Sequence, residues 1–211
     1  MTWREIAELY GITSAPPRSN LQPTYNAAPT QLLPIVRLDG AARVCAIARW
    51  GMIPRWAKDP KESKLTTINA RAEKLRESPL YRKPFQTRRC IVPATGWYEW
   101  RTENDVKQPY AIRVNGQPFG LAGLWDMWRG ADGAEIENFT IVTTAAAPAI
   151  AELHSRMPRA VVGEEIDQWL SDDIDAAAEL LAPSTAEFEF WKVSRAVGNV
   201  RNNAPELVEP L

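Results

Sequence analysis

The stretch that most constrains the fold of this chain is RRCIVPATGWYEW, from Arg88 to Trp100. Its apolar β-branched run, its Pro-to-Gly turn and its second, aromatic-rich run predict two strands joined by a short connection. Glu99 lies in the second strand between Tyr98 and Trp100. Such a carboxylate is either the solvent-facing member of an alternating strand or a group whose ionisation is set by its surroundings. This stretch alone leaves both interpretations open.

The remaining pattern predicts a β-rich middle with short helices, which is an α+β fold. Six further strands are predicted: Leu32–Arg37, Arg43–Arg49, Pro109–Asn115, Phe119–Trp128, Ile136–Thr144 and Phe188–Arg195. Short helices are predicted at Thr2–Tyr10, Glu164–Leu170 and Ile174–Leu181, with a strand end running into a helix over Thr66–Arg76 and a helical turn at Pro148–Leu153. Asp39–Gly40 predicts a hairpin turn between the first two strands, and the Pro-rich segment Ser14–Pro29 predicts a loop. No linker divides the 211 residues, so we expect a single domain.

Composition limits the classes of partner without naming one. The chain has 25 basic and 26 acidic residues, so its net charge of −1 does not by itself indicate nucleic acid or a membrane. Cys45 and Cys90 lie far apart in apolar runs, which is typical of reduced thiols in an intracellular protein. We find no membrane-spanning run, leader or metal-ligand spacing. The sequence therefore predicts a cytoplasmic protein with no cofactor and no metal, and we expect a monomer.

Several polar and aromatic residues are candidates for binding. Trp50 and Trp56 flank a Pro and an Arg, which is typical of a rigid loop presenting aromatic faces, although each could equally be core filler. Asn69 is placed to cap the helix that follows it, and Arg71 would then lie in the first turn, against the helix dipole. An Arg in that position is more easily explained by an anion that it contacts. The surrounding basic region favours phosphate contact, with solvated surface charge as the alternative.

His154 is the only histidine, and it lies in a predicted polar turn that ends at a proline, HSRMP, rather than on an apolar helix face. A single histidine is often structural, but this context favours function. With Asn69, Glu99 and Arg156 it completes the chemistry of a small active site, with an amide, a carboxylate, an imidazole and a guanidinium.

Eight motifs follow one another along nearly the whole chain: YNAAPT, WGMIPRWAKD, INARAE, RRCIVPATGWYEW, LAGLW, FTIVTTAA, HSRMP and NVRNNAPELVEP. In their sequence and order they resemble the SOS response-associated peptidase family. The resemblance implies a compact α+β domain with a β-barrel-like core and short peripheral helices. It also implies a positively charged groove that holds single-stranded DNA, and covalent crosslinking to abasic sites in that DNA.

The family's reaction uses an N-terminal cysteine, freed by removal of Met, whose amine and thiolate close a thiazolidine ring on the abasic aldehyde. An α-amine titrates at about pH 8, so it is nucleophilic without strong tuning. The resemblance implies that Asn69 positions the cysteine and the sugar, that Glu99 stabilises the charged amine or Schiff base, and that His154 assists opening of the sugar ring. The resemblance also implies that Arg71 and Arg156 hold phosphates that flank the lesion. The DNA groove would be lined by Asn26, Trp50 and Trp56.

The chain departs from the family at its first residues. The family begins Met-Cys-Gly-Arg, whereas this chain begins Met-Thr-Trp-Arg at what resembles the family's first helix. Thr2 lacks a thiol, and the internal Cys45 and Cys90 lack a free amine. We therefore expect the first strand and its cysteine to lie upstream of Met1, and the chain as written not to crosslink. The alternatives are a member that only binds single-stranded DNA and, from the family's older name, a peptidase or hydrolase on another substrate.

Overall fold

The computed structural model describes residues 1–14, 21–60, 67–115 and 119–211. Within these ranges the strands are β1 (Leu32–Asp39), β2 (Ala42–Trp50), β3 (Asn69–Arg71), β4 (Arg89–Ala94), β5 (Trp97–Glu103), β6 (Val106–Val114), β7 (Phe119–Arg129), β8 (Glu135–Ala145), β9 (Arg156–Pro158), β10 (Ala160–Val162) and β11 (Phe188–Lys192). The α-helices are α1 (Trp3–Leu9), α2 (Arg82–Thr87), α3 (Glu165–Leu170) and α4 (Ile174–Glu179). Short 3₁₀ turns occupy Ala72–Lys74, Arg195–Gly198 and Pro205–Val208.

The centre of the fold is a closed ring of strands in the order β1, β2, β8, β7 and β4, which pairs with β1 again. All these pairs are antiparallel except β2 with β8, so the described strands form a mixed barrel. β3 continues the edge of β8 beyond β2, in parallel, and β9 pairs with the last residues of β8. The barrel-like core implied by the resemblance is confirmed.

The chain leaves the barrel at Gly96. β4 pairs with β1 and β7, whereas β5 pairs with β6 in a second, three-stranded antiparallel sheet completed by β11. The close packing requires glycine at this point, because a Cβ on Gly96 would lie 2.7 Å from the carbonyl oxygen of Ile112. The predicted strands on either side of this glycine exist, but they belong to different sheets. This crossing places Glu99 outside the barrel.

The helices cover one side of the barrel. α1 begins with a capping box, in which Thr2 Oγ1 accepts from the Glu5 amide and the Glu5 carboxylate accepts from the Thr2 amide. Tyr10, at the end of α1, is fully buried and donates its hydroxyl to the Phe119 carbonyl at 2.9 Å. Trp169 of α3 is also fully buried, and its indole donates to the Cys90 carbonyl at 2.9 Å. These contacts attach both helices to the barrel wall through apolar burial and a satisfied polar group.

Some sequence predictions need correction. Asn69 does not cap a helix: it begins β3, and Arg71, not Asn69, precedes the 3₁₀ turn, so no helix dipole acts on that arginine. HSRMP is only partly a turn, since β9 follows Ser155. Helix α2 and strands β9 and β10 were not predicted, because each is too short to show a periodic pattern. Of the loop predicted at Ser14–Pro29, residues 15–20 lie outside the described residues.

Candidate active site

A cleft of about 490 Å³ brings together five of the residues selected from the sequence. It is lined by Asn69, Arg71, Glu99, His154 and Arg156, together with Lys74, Tyr81, Thr143, Met157 and Pro158. These residues come from β3, the 3₁₀ turn after it, the residue before α2, β8, β9 and the turn between them, and β5 of the second sheet. The cleft therefore lies where the second sheet meets the barrel.

Glu99 is held in the cleft by the β5–β6 pairing, in which it lies opposite Tyr110. The carboxylate is half-buried, and among the described residues it accepts no hydrogen bond from the protein. Tyr98 and Trp100 share the other face of the strand, where their ring centroids lie 6.4 Å apart. The Tyr98 hydroxyl donates to the Tyr25 carbonyl at 2.8 Å, which fixes β5 against the N-terminal loop.

Burial raises the pKa of Glu99 to about 7, and the nearby His154 opposes part of that rise. Near neutral pH the carboxyl group is thus divided between its acid and its carboxylate form. A carboxyl group with this pKa is suited to proton exchange or to pairing with a developing cation. Of the two interpretations left open by the sequence, the half-buried position in a shared cleft favours a site.

Asn69 is exposed at the start of β3, and Trp50 supports the residue before it. The Ile68 carbonyl accepts from the Trp50 indole at 2.9 Å and from the Ile141 amide at 3.0 Å. Trp50 in turn stacks on Phe139, with ring centroids 6.4 Å apart and planes 11° from parallel. These contacts fix the backbone that presents Asn69 to the cleft.

His154 lies in the turn between β8 and β9, with its ring held by the backbone of Arg156. Nδ1 lies 2.8 Å from the Arg156 carbonyl oxygen and 3.1 Å from the Arg156 amide nitrogen. The Arg156 amide donates to Nδ1, and the Arg156 carbonyl oxygen also approaches this nitrogen, so both contacts of the ring are made through Nδ1. Nε2 makes no hydrogen bond among the described residues, which leaves it available to a ligand in the cleft.

The two arginines of the cleft differ in their partners. Arg156 donates both terminal nitrogens to the Glu73 carboxylate at 3.0 Å each, and one of them also donates to the Thr143 carbonyl at 2.7 Å. Arg71 is exposed and has no ion pair among the described residues. Arg156 and, more weakly, Arg71 lower the pKa of Glu73.

An apolar slot of about 420 Å³ adjoins the cleft and shares Asn69, Glu99 and Pro158 with it. Met1 contributes to its wall, as do Leu33, Pro34, Trp50, Val92, Trp97, Leu121 and Ile141. The Trp97 indole nitrogen is buried and has no hydrogen-bond partner among the described residues. A buried donor without an acceptor is unfavourable, so the slot has an unmet polar requirement in an otherwise apolar wall.

Two predicted DNA-contacting residues have other surroundings. Asn26 is buried, and its amide donates to the carbonyls of Val197, Asn199 and Asn202 at 3.0–3.2 Å, so it holds the C-terminal tail while also lining the slot. Trp56 is 66% exposed and lines neither the cleft nor the slot. Among the residues that sequence reasoning missed, Lys74 and Tyr81 line the cleft, and their position in the basic stretch was the available signal. Glu73 and Trp97 lie inside the motifs INARAE and RRCIVPATGWYEW, but no local pattern distinguished them from their neighbours.

Neither cysteine belongs to the cleft. Both are free, and burial raises the pKa of Cys45 to about 11 and that of Cys90 well above its usual value. Within the described ranges no three His, Cys, Asp or Glu side chains come together as metal ligands. No helix in those ranges is long and apolar enough to cross a membrane.

The family model of the SOS response associated peptidase (SRAP) matches residues 1–200. The chain belongs to this family. It is similar to the abasic site processing protein YoqW of Bacillus subtilis (strain 168), with 37% identity covering 97% of this chain and 94% of that protein. It is also 37% identical to the abasic site processing protein YedK of Escherichia coli (strain K12), over 68% of this chain and 67% of that one.

A crystal structure of a protein from Bacteroides thetaiotaomicron shares the fold of this SRAP chain. The two are 31% identical, the TM-score is 0.77, and the alignment covers 86% of this chain and 82% of the other. The α+β domain with a mixed barrel core is therefore the fold of a solved relative as well as of this chain.

Proposed function

We propose that this SRAP protein processes abasic sites by forming a covalent crosslink with single-stranded DNA, through an N-terminal cysteine that precedes Met1 in the native protein. The observation that carries the proposal is the convergence of Asn69, Glu99 and His154 on one cleft. No pair of these residues is adjacent in sequence, and the cleft combines an amide, a carboxyl group of pKa about 7 and an imidazole. Relatives named as abasic site processing proteins support the same substrate.

The reaction begins with the closed abasic sugar. Opening of the hemiacetal moves a proton from the C1′ hydroxyl to the ring oxygen and exposes the aldehyde, a step that His154 assists as acid and base. The cysteine amine then attacks C1′ and water leaves, giving a Schiff base. Addition of the cysteine sulfur to C1′, with the thiol proton passing to nitrogen, closes the thiazolidine ring. No oxidant or metal enters this balance.

Glu99 would face the amine in this sequence of steps. Its carboxylate form stabilises the protonated amine and the Schiff base cation. Its acid form donates a proton to the C1′ hydroxyl group, which then leaves as water. Since its pKa is about 7, both forms are populated at neutral pH. The absence of a protein hydrogen bond to this carboxylate, among the described residues, leaves it available for such a partner.

The apolar slot supports the proposed source of the nucleophile. It extends from Met1 to Asn69 and Glu99, so a short strand preceding Met1 could follow it and end with its amine at the cleft. A backbone carbonyl of that strand would also supply the acceptor that the buried Trp97 indole lacks. Arg71 would hold a phosphate beside the lesion, because its guanidinium is exposed and unpaired among the described residues.

Crosslinking on a denaturing gel tests the proposal. A single-stranded oligonucleotide with one uracil, treated with uracil-DNA glycosylase, is incubated with the 211-residue chain and with a version extended by the residues encoded upstream, beginning Cys-Gly-Arg after Met removal. We expect a shifted band only with the extended protein, lost in its Cys→Ser and Glu99→Gln variants. An extended protein that forms no crosslink would contradict the proposal.

One observation favours a second candidate, a module that binds single-stranded DNA without chemistry. Cys90 is buried, Cys45 is half-buried, and neither lines the cleft, so the chain as written supplies no thiol there. Under this alternative the extended protein binds the oligonucleotide in a salt-dependent way, and Glu99→Gln changes nothing. Thiol peptidase chemistry meets the same obstacle, because neither cysteine lines the cleft.

A further inference from the structure

The forked edge of the Arg156 guanidinium is already occupied. Its two terminal nitrogens meet the two oxygens of Glu73 at 3.0 Å each, in the bidentate arrangement that arginine also uses for a phosphate. One of those nitrogens also donates to the Thr143 carbonyl at 2.7 Å, and the Arg156 Nε is buried. A phosphate that approaches this arginine therefore meets a carboxylate in its place.

The two partners differ in freedom. The Arg156 side chain is 23% exposed and is fixed by the Thr143 backbone, whereas the Glu73 side chain is 57% exposed. Glu73 can thus turn into solvent, where water hydrates its carboxylate, while Arg156 stays where it is. Arg71, two residues before Glu73, also lowers the pKa of Glu73 but makes no ion pair with it, so its guanidinium is not occupied among the described residues.

We propose that Glu73 is an internal competitor for DNA phosphate: it holds the phosphate-binding edge of Arg156 in the free protein and is displaced when a strand enters the cleft. This inference rests on the proposed function, since it takes single-stranded DNA as the ligand of the cleft. A strand that binds must break the ion pair between Glu73 and Arg156, and this cost lowers the affinity for every strand. Contact with Arg156 is then made only by a phosphate placed well enough to replace Glu73.

Binding without chemistry tests this directly. The probe is a fluorescein-labelled single strand carrying tetrahydrofuran, an abasic analogue with no aldehyde, and fluorescence anisotropy is measured over a series of salt concentrations. We expect Glu73→Gln to bind several-fold more tightly than the parent. The parent and the variant make the same phosphate contacts once the strand is bound, because Glu73 is displaced in the parent. The slope of log affinity against log salt should therefore change by less than the value of about 0.7 expected for one added contact on a single strand.

Glu135→Gln is the matched control. It removes the same charge from an exposed pair, with Arg129, that lines neither the cleft nor the slot. We expect its affinity for the probe to stay within about twofold of the parent. A carboxylate outside the cleft acts on the DNA only through long-range repulsion, which salt screens. In an Arg156→Gln background, Glu73→Gln should gain no more than Glu135→Gln does. Thermal unfolding of each variant checks the fold, and Glu73→Ala repeats the test with a smaller side chain.

The outcomes separate the two proposals. If the parent binds the probe and Glu73→Gln binds equally or more weakly, the competitor is excluded and the pair only stabilises the turn. If Glu73→Gln still binds the probe more tightly in the Arg156→Gln background, the effect comes from the general loss of a negative charge. That result also overturns the inference. If the parent, Glu73→Gln and Glu135→Gln all fail to bind the probe, the proposed function itself fails, and this inference with it.

Discussion

The imidazole of His154 lies close enough to the carboxyl group of Glu99 to lower its pKa, while burial raises that pKa by more. The two side chains come from a turn of the barrel and from a strand of the second sheet. Burial prevails, so a carboxylic acid is retained close to neutral pH in the cleft. The geometry of two sheets thus sets the ionisation of one residue.

Glu99→Gln should stabilise the protein at pH 8 and leave it almost unchanged at pH 4. The folded-state pKa of Glu99 is about 7, above its usual 4.5, so the folded protein binds this proton more tightly than the unfolded chain. The contribution of this proton to the free energy of unfolding is fully present below about pH 4.5 and is lost as the pH rises through about 7. The gain at pH 8 should be roughly 1–3 kcal/mol, measured by urea unfolding at both pH values.

The control for this change is Glu209→Gln, at an exposed position near the C-terminus. Its effect on unfolding should be small and should not grow between pH 4 and pH 8. If the gain in stability from Glu99→Gln is also the same at pH 4 and at pH 8, the carboxyl group of Glu99 titrates normally.

Arg71→Ala should weaken binding of single-stranded DNA more than Arg156→Ala does. Arg71 is exposed without an ion pair among the described residues, whereas Arg156 is already neutralised by Glu73. Loss of one phosphate contact should reduce the salt slope by about 0.7 in either variant. The loss of affinity should be smaller in Arg156→Ala, because in the parent the phosphate contact is offset by the ion pair that Glu73 gives up. Anisotropy titrations at several salt concentrations measure this. Equal losses would mean that Glu73 does not affect the arginine.

Asn26→Ala should destabilise the fold by about 1–3 kcal/mol, because three tail carbonyls lose their shared donor. The tail from Val197 onward should then become sensitive to limited proteolysis. Asn203→Ala is a useful comparison, since it removes only one contact, to the Tyr25 amide at 2.7 Å. If Asn26→Ala weakens DNA binding with no loss of stability, the tail contacts are not its main role.

Trp50→Phe should slow crosslinking by the extended protein while changing its stability by only about 0.5–1.5 kcal/mol. Phenylalanine keeps the stacking on Phe139 but loses the hydrogen bond to the Ile68 carbonyl, next to Asn69. Trp128→Phe is the matched control, because its indole makes an equivalent bond to the Ala57 carbonyl outside the cleft. Equal crosslinking rates in the two variants would show that Trp50 does not position Asn69.

Much of the fold could be predicted because its strands are long and regular. The hairpin of β1 and β2 follows from alternating apolar residues around Asp39–Gly40, and Gly40 indeed has a φ of 59°. α1 follows from its capping box. Elements that depend on distant partners, such as β3 and β9, were misread or missed, since three residues carry no period and form strands only because β8 offers a free edge.

The candidate residues Asn69, Glu99 and His154 were selected from local chemistry and from motif order, and both kinds of information reside in the chain itself. Their surroundings do not. Burial of Glu99, occupation of Arg156 by Glu73, and the tail contacts of Asn26 each join residues that are far apart in sequence. The sequence by itself determined which side chains are available and which strands they lie on. The tertiary structure alone decided their ionisation and their partners, because desolvation and ion pairing depend on distances that exist only after the two sheets have packed.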